Sequence, residues 1–328
     1  MKKIKLSINS PREGLLRQTP NNDGVWGDYK FFINEPIEEC DYWVIYSKGE
    51  NNNNKTLVNK ENLVLLTGEP EPIYHYATSF IKRFGKILTS RRDITHSNIT
   101  HIQPAQPWWV GRKIFDDGSI KFVSTYSDLS NQINDKKKVI SVITSIKGFT
   151  QGHKDRINFV KKLKTHFGDQ IDVFGNGINA FEDKWDTLRD YKYHIVIENS
   201  SFEDYWTEKL ADCYLAECFP FYYGCKNINK YFDINSFKTI DINDFEKTIK
   251  IIENGLKEDL YNKNIIEIRK AKSLILNKYN IFPMLVEQLK NNSLNSRKEI
   301  INMKHENRYL DFYKVWMILK RFYIEKFK

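Results

Sequence analysis

Five residues able to do chemistry crowd one short stretch of this 328-residue chain: Glu198, Asn199, Tyr205, Glu208 and Lys209. Two carboxylates, an amide, a phenol and an ammonium can hold hydroxyls and phosphate oxygens, and the ammonium can offset charge on a departing anion. The elements that must position them can be read around them. Residues 194–197 are a short apolar run with two isoleucines and a valine, which predicts a buried strand. Residues 198–201 form a polar loop, Thr207 is a fair N-cap, and a helix carrying Leu210, Tyr214 and Leu215 follows. A second apolar run, 219–223, ends in Gly224. Strand, loop, helix and strand make a βαβ unit, and in such sheets ligands sit at the carboxyl ends of the strands. A Glu-Lys pair in a first helical turn is also what a solvated face shows, because acidic groups favour that end. Lys209 resists this reading. A cation sits badly at a helix N-terminus unless an anion is near, and helix N-termini bind phosphate.

Other candidates lie outside this stretch. Arg156 opens a basic helical segment, 156–166, and an arginine fork suits phosphate oxygens; Lys154 is its neighbouring competitor, and a solvated helix position is the plain alternative. Gly175-Asn176-Gly177 follows a strand at 171–174 and fits either a phosphate cradle or a tight turn. Glu69 stands in Thr67-Gly68-Glu69-Pro70 directly after the apolar strand 62–66. A carboxylate there can accept a proton from a hydroxyl, as can Glu71 two residues on, although glutamate after glycine is also an ordinary turn residue. No D-x-D triplet occurs, so fixed cations, Lys209 and Arg156 first, are expected to meet anionic charge without a metal. The four cysteines, Cys40, Cys213, Cys218 and Cys225, lack metal-ligand spacing and are read as reduced thiols.

The run E-N-S-S-F-E-D-Y-W-T-E-K-L from Glu198, with F-P-F-Y-Y-G from Phe219, resembles the signature of family 10 glycosyltransferases, the α1,3/α1,4-fucosyltransferases. The likeness is close over 137–240 and loose before it, and it departs at Ile197, where the family commonly has phenylalanine. The resemblance implies a GT-B architecture and an inverting, metal-independent transfer of fucose from GDP-fucose, with no cofactor. It makes Arg156, ahead of Phe159, a phosphate ligand, and Asn199, Tyr205, Glu208 and Lys209 nucleotide-sugar contacts. Glu208 suits ribose or sugar hydroxyls, and Glu198 either serves instead or organises the loop. A comparable G-E turn in the family makes Glu69 the general base, with Glu71 in competition.

Strands alternating with helical segments predict an α/β chain of two Rossmann-like domains facing across a cleft, with helices at the C-terminal end. Expected boundaries are 1–133 for an acceptor domain, 134–300 for the nucleotide-sugar domain, with the charged stretch 130–138 between them, and 301–328 for a basic amphipathic helix. That last helix either packs on the body or lies in a membrane interface. The segment 74–84 predicts a helix, Asn51 to Asn54 a solvated loop tip, and Trp108-Trp109 packing ahead of a sugar platform. A net charge of +9 favours anionic partners: a nucleotide sugar, nucleic acid or an acidic membrane. The charge is spread and no nucleic-acid motif appears, so a nucleic-acid-binding protein is the alternative, as is a same-fold transferase with another donor or without turnover. The N-terminus lacks a secretory apolar core and no run approaches a membrane span, so the expected place is cytoplasmic, with peripheral contact on the inner face of the membrane. The expected acceptor is a surface glycan of lipopolysaccharide or O-antigen type, a reading that comes with a bacterial-type resemblance.

Overall fold

The computed structural model describes residues 1–50, 54–71, 73–144, 151–294, 297–312, 314–316 and 319, and of 151–154 the backbone alone. In chain order the first elements are β1 Lys2–Ser7, α1 Arg12–Leu16, β2 Val25–Trp26, β3 Tyr29–Ile33, β4 Tyr42–Tyr46, β5 Asn54–Val58, β6 Leu63–Leu66, α2 Thr78–Ile81, β7 Lys86–Thr89 and β8 Ile99–His101. Then come β9 Arg112–Ile114, β10 Ile120–Phe122, α3 Tyr126–Asn131, β11 Lys138–Ile143, α4 Gln151–Phe167, β12 Ile171–Phe174, β13 Tyr191–Ile197, α5 Glu208–Leu215, β14 Phe219–Tyr223 and β15 Lys238–Thr239. Helices α6 Phe245–Lys257, α7 Leu260–Lys263, α8 Ile265–Leu274 and α9 Ile281–Leu289 precede β16 Glu299–Met303.

Two compact units result. The first holds a sheet of order β2-β3-β1-β4-β6-β7-β8, parallel except for the β2–β3 pair. Its inner strands read YWVIY and LVLL, because a parallel strand covered on both faces needs continuous apolar residues rather than alternation. The second holds the wholly parallel sheet β12-β11-β13-β14-β15, whose core runs from Val142 and Ile195 to Phe221 and Ile252. The mixed α/β class with parallel sheets agrees with the expectation.

The boundaries differ from those expected. The second unit takes residues 17–22 and 105–284, and the chain then returns to the first. Arg17 joins the second unit because its guanidinium donates to the carbonyls of Trp108, Val110 and Ser124. The charged stretch 130–138 is no linker: Leu129 is buried, and Lys136 donates to the carbonyls of Leu188 and Ala216. Residues 301–303 are not helical but pair antiparallel with β5, so the end of the chain is sewn into the first unit. Asn54 begins β5 instead of a solvated tip, while 51–53 lie outside the described residues. The helix expected over 74–84 shrinks to α2, because residues 74–77 are not helical, Ala77 being extended, and Gly85 closes on the Glu61 backbone, where a Cβ would sit 2.4 Å from Cα. Lys5, in β1, is buried, donating to Asn54 Oδ1 and Thr56 Oγ1.

Candidate active site

In the second sheet the chain leaves β11 through α4 to β12 on one side, then crosses back to β13 on the other. A crevice opens beyond the strand ends where order reverses, and such switch points are where open α/β sheets bind ligands. A cavity of about 300 Å³ lies there, bordered by Ile143 and Thr144 at the end of β11, Gly175 and Asn176 after β12, and Ile195–Ile197 of β13. Gly175 is obligatory. Its φ is +145°, and a Cβ would lie 1.6 Å from the Thr144 carbonyl oxygen. The Gly-Asn-Gly segment is the tight turn, closed by the Gly175 N–H on the Asn179 carbonyl, and its Gly175 and Asn176 border the cavity.

The start of α5 supplies the charged side. Thr207 caps it, its hydroxyl accepting from the Lys209 N–H. Glu198, at the end of β13, is buried and takes the Thr207 N–H at 2.8 Å and hydroxyl at 2.7 Å. Gly224 permits this, since a Cβ there would meet Glu198 Cγ at 2.5 Å. Of the two roles open to Glu198, the geometry matches the organising one: its carboxylate ties strand to helix, and it is not among the described residues that border the cavity. Burial raises its pKa against the pull of Lys209. Glu208, Lys209 and Arg156 do border it. Burial opposes the Lys209 charge, but Glu208 and Glu198 outweigh it and hold the ammonium's pKa above its ordinary value; Nζ lies 3.1 Å from Glu208 Oε1 and 3.5 Å from Glu198 Oε2. Glu208 is pushed up by burial and brought below the usual carboxylate range by Lys209 and Lys184. Arg156, on α4, donates to Asn199 Oδ1 at 3.0 Å, which places Asn199 behind the arginine. Tyr205 is not brought to the cavity wall: Asp204 takes a left-handed φ of 60°, and Tyr205 is buried, stacked on Phe202 at 4.7 Å. The Lys154 side chain lies outside the described residues.

Sequence reasoning missed much of the wall. Lys184 ion-pairs with the fully buried Asp212 at 2.8 Å, and Asp212 also accepts from the Trp109 N–H. His194 reaches the cavity from within β13; burial, with Lys184 and Lys136 nearby, pushes its pKa down to about 3, so it stays neutral beside Ser141 Oγ. The paired tryptophans diverge: Trp108 is 3% exposed and packs, while Trp109 is 44% exposed and borders the cavity, with the Arg112 guanidinium 4.6 Å from its ring. Among the described residues, four buried polar atoms of the wall find no protein partner: Thr144 Oγ1, Arg112 Nε, Arg156 Nε and Glu208 Oε2. Buried polar groups are ordinarily satisfied, so their gathering around one crevice marks it as built for a polar ligand. Among the described residues no group of three or more His, Cys, Asp or Glu is placed to hold a metal.

Glu69 and Glu71 belong to the first unit, at the carboxyl edge of its sheet just after β6. Gly68 packs on the Tyr46 ring, and the Pro70 carbonyl accepts from Ile73 and Tyr74 N–H, which fixes the turn. The end of the chain braces the segment after it. Glu306, fully buried, receives the Tyr74 hydroxyl and Lys314 Nζ, and Asp311 receives the Thr78 N–H. Lys314 is thus corrected from a solvated helical face to an inward ion pair, and Arg308 from the α-helix to a 3₁₀ turn. Leu310, Phe312, Trp316 and Leu319 are exposed, Phe312 by 89%. The rest of the expected tail helix, including 320–328, lies outside the described residues. No described helix is long and apolar enough to cross a membrane.

Comparison with known proteins bears on the second unit. Residues 133–260 match glycosyltransferase family 10 (fucosyltransferase), C-terminal part. The chain is 34% identical over 142 residues to the α-(1,3)-fucosyltransferase fut-1 of Caenorhabditis elegans, covering 41% of this chain and 31% of that protein. It is 32% identical over 73 residues to the α-(1,3)-fucosyltransferase FucT of Helicobacter pylori, covering 22% and 15%. The matched stretches thus span less than a third of either relative. A crystal structure of an α1,3-fucosyltransferase with GDP aligns over 86% of this chain and 92% of its own at 16% identity, with a TM-score of 0.48.

Proposed function

We propose that the chain, whose residues 133–260 match glycosyltransferase family 10 (fucosyltransferase), transfers fucose from GDP-fucose to a glycan hydroxyl. The observation that carries this reading is the meeting of Arg156, Glu208 and Lys209 at the switch-point crevice, within the matched residues. The donor's diphosphate lies against Arg156 and Lys209, and Glu208 accepts from ribose or sugar hydroxyls. Glu69 takes the proton of the acceptor hydroxyl as its oxygen bonds to the anomeric carbon. The bond from that carbon to the phosphate oxygen breaks on the opposite side, and its electron pair leaves with GDP, so configuration inverts. Charge on the leaving diphosphate is offset by fixed cations rather than a metal.

The donor belongs to the second unit and the acceptor to the first. The acceptor is a surface glycan of lipopolysaccharide type, met in the cytoplasm at the inner face of the membrane. The exposed Leu310, Phe312, Trp316 and Leu319 support a peripheral contact there. Replacing Phe312 and Trp316 by serine is expected to reduce sedimentation with anionic vesicles and leave the melting temperature unchanged; undiminished sedimentation rejects the membrane contact.

The transfer itself is tested by incubating the chain with GDP-fucose and glycan acceptors in EDTA and reading GDP release and the anomeric proton of the product. Turnover with inversion is expected. Turnover that stops in EDTA and returns with manganese rejects the metal-free mechanism, and turnover only with another nucleotide sugar rejects the donor.

A further inference from the structure

Arg112 lies outside the residues that match the family, yet it borders the same cavity as Arg156 and Lys209. Its strand, β9, is held from three sides. Asp212 accepts the Trp109 N–H at 3.2 Å, and Asp183 accepts the Gly111 N–H at 2.9 Å. Gly111 has a φ of +72°, and a Cβ there would come within 2.5 Å of Ser124 Cβ. The Trp109 ring then fixes the guanidinium by a cation–π contact at 4.6 Å.

The charges around the cavity divide into two kinds. Lys209 is paired with Glu208 and Glu198, and Lys184 with Asp212. The arginines are not so compensated. Arg156 donates to the neutral Asn199 with only the more distant charge of Glu198 acting on it, and Arg112 has no carboxylate partner among the described residues, where the Nε of each also finds no partner. Burial alone pulls the Arg112 pKa down, with no acid to oppose it. A partly buried guanidinium held rigid at a cavity, without a counter-ion, fits an anionic ligand with paired oxygens.

We propose that Arg112, held by Trp109, is a further ligand of the donor's diphosphate, contributed by the β9–β10 hairpin from outside the family domain. The proposal rests on the nucleotide-sugar reading of the same cavity. With Arg156 it supplies the positive charge that the paired lysines leave unsupplied, and it binds the leaving group at the mouth of the crevice.

The test is calorimetric titration of the wild type, Arg112→Ala and Arg112→Lys with GDP and with inorganic pyrophosphate, and ligand-observed NMR with guanosine. Arg112→Ala should weaken GDP and pyrophosphate by about ten- to a hundredfold, the scale of a charge-assisted contact, and leave guanosine unchanged. Arg112→Lys should restore part of the loss, since it keeps the charge without the fork. GDP binding unaltered in Arg112→Ala overturns the proposal, and so does equal weakening of GDP and guanosine, which would mean a merely structural role. If the wild type binds pyrophosphate through Arg112 but has no preference for GDP, the nucleotide reading fails and the anion site stands. A wild type that binds neither overturns both.

Discussion

Lys209→Ala is expected to lower the rate of sugar transfer by about a hundred- to a thousandfold, the scale of removing one fixed donor from a developing anion. The ammonium faces the cavity while lying between two carboxylates, Glu208 at 3.1 Å and Glu198 at 3.5 Å, so in the proposed transfer it serves both leaving group and helix start. Its loss leaves two acids with little water around them, and removing one partner of a buried pair costs about 3–5 kcal/mol. The sign of the pH dependence follows. Without Lys209, burial holds the Glu198 carboxyl further above its unfolded value, so its neutral form is favoured in the fold. Stability is then greatest at low pH and declines as pH rises through the raised carboxyl range. Urea melts at pH 5 and pH 8 should show the variant closer to wild type at pH 5, and Lys209→Arg should recover stability at both. Equal destabilisation at the two pH values would contradict the pairing, and an unchanged transfer rate would contradict the catalytic role.

Glu69→Gln is expected to lower kcat by about a hundred- to ten-thousandfold, as for a lost general base, while GDP affinity stays the same. The glutamine keeps size and hydrogen bonding but cannot take the acceptor's proton. Donor affinity is insulated because every residue bordering the cavity belongs to the second unit, whereas Glu69 lies in the first. The turn that holds it is made rigid by Gly68 against Tyr46 and by the Pro70 carbonyl. Glu71→Gln is the control and should retain activity. A dead Glu71 variant beside an active Glu69 variant would move the base two residues along, and two active variants would remove it from this turn.

The unit around β13 was legible because local signals agreed. An apolar run sets the buried strand, Thr207 caps the helix that follows, and a parallel partner ends at a glycine. Arg156, Glu208 and Lys209 could be picked out for the same reason, each being fixed by its place at the start or along one face of an element. What the sequence hid depends on distances across the fold. Glu198 reads as one more acid in a polar loop until its carboxylate is found gripping Thr207, nine residues on. Lys184 and Asp212 stand 28 residues apart and carry no motif. Trp108 and Trp109 have identical chemistry, and only the hairpin decides that one packs and the other meets the cavity. Residues 130–138 look like a linker because their charges are written in the sequence, while the carbonyls that satisfy Lys136 are not. The tail misled in the same way: Lys314 faces inward because Glu306 waits for it, a partner that an amphipathic projection cannot show.

The central claim is that the crevice after β11 and β13 binds a guanosine diphosphate sugar. The most direct measurement is the melting temperature of the whole chain with GDP, GDP-fucose, UDP and UDP-sugars at equal concentration. A ligand that binds only the folded state stabilises it by about 2.7 kcal/mol at a hundred times its Kd. GDP and GDP-fucose should raise the melting temperature and the uridine compounds should leave it where it was. Equal shifts with UDP, or none with GDP, would contradict the account.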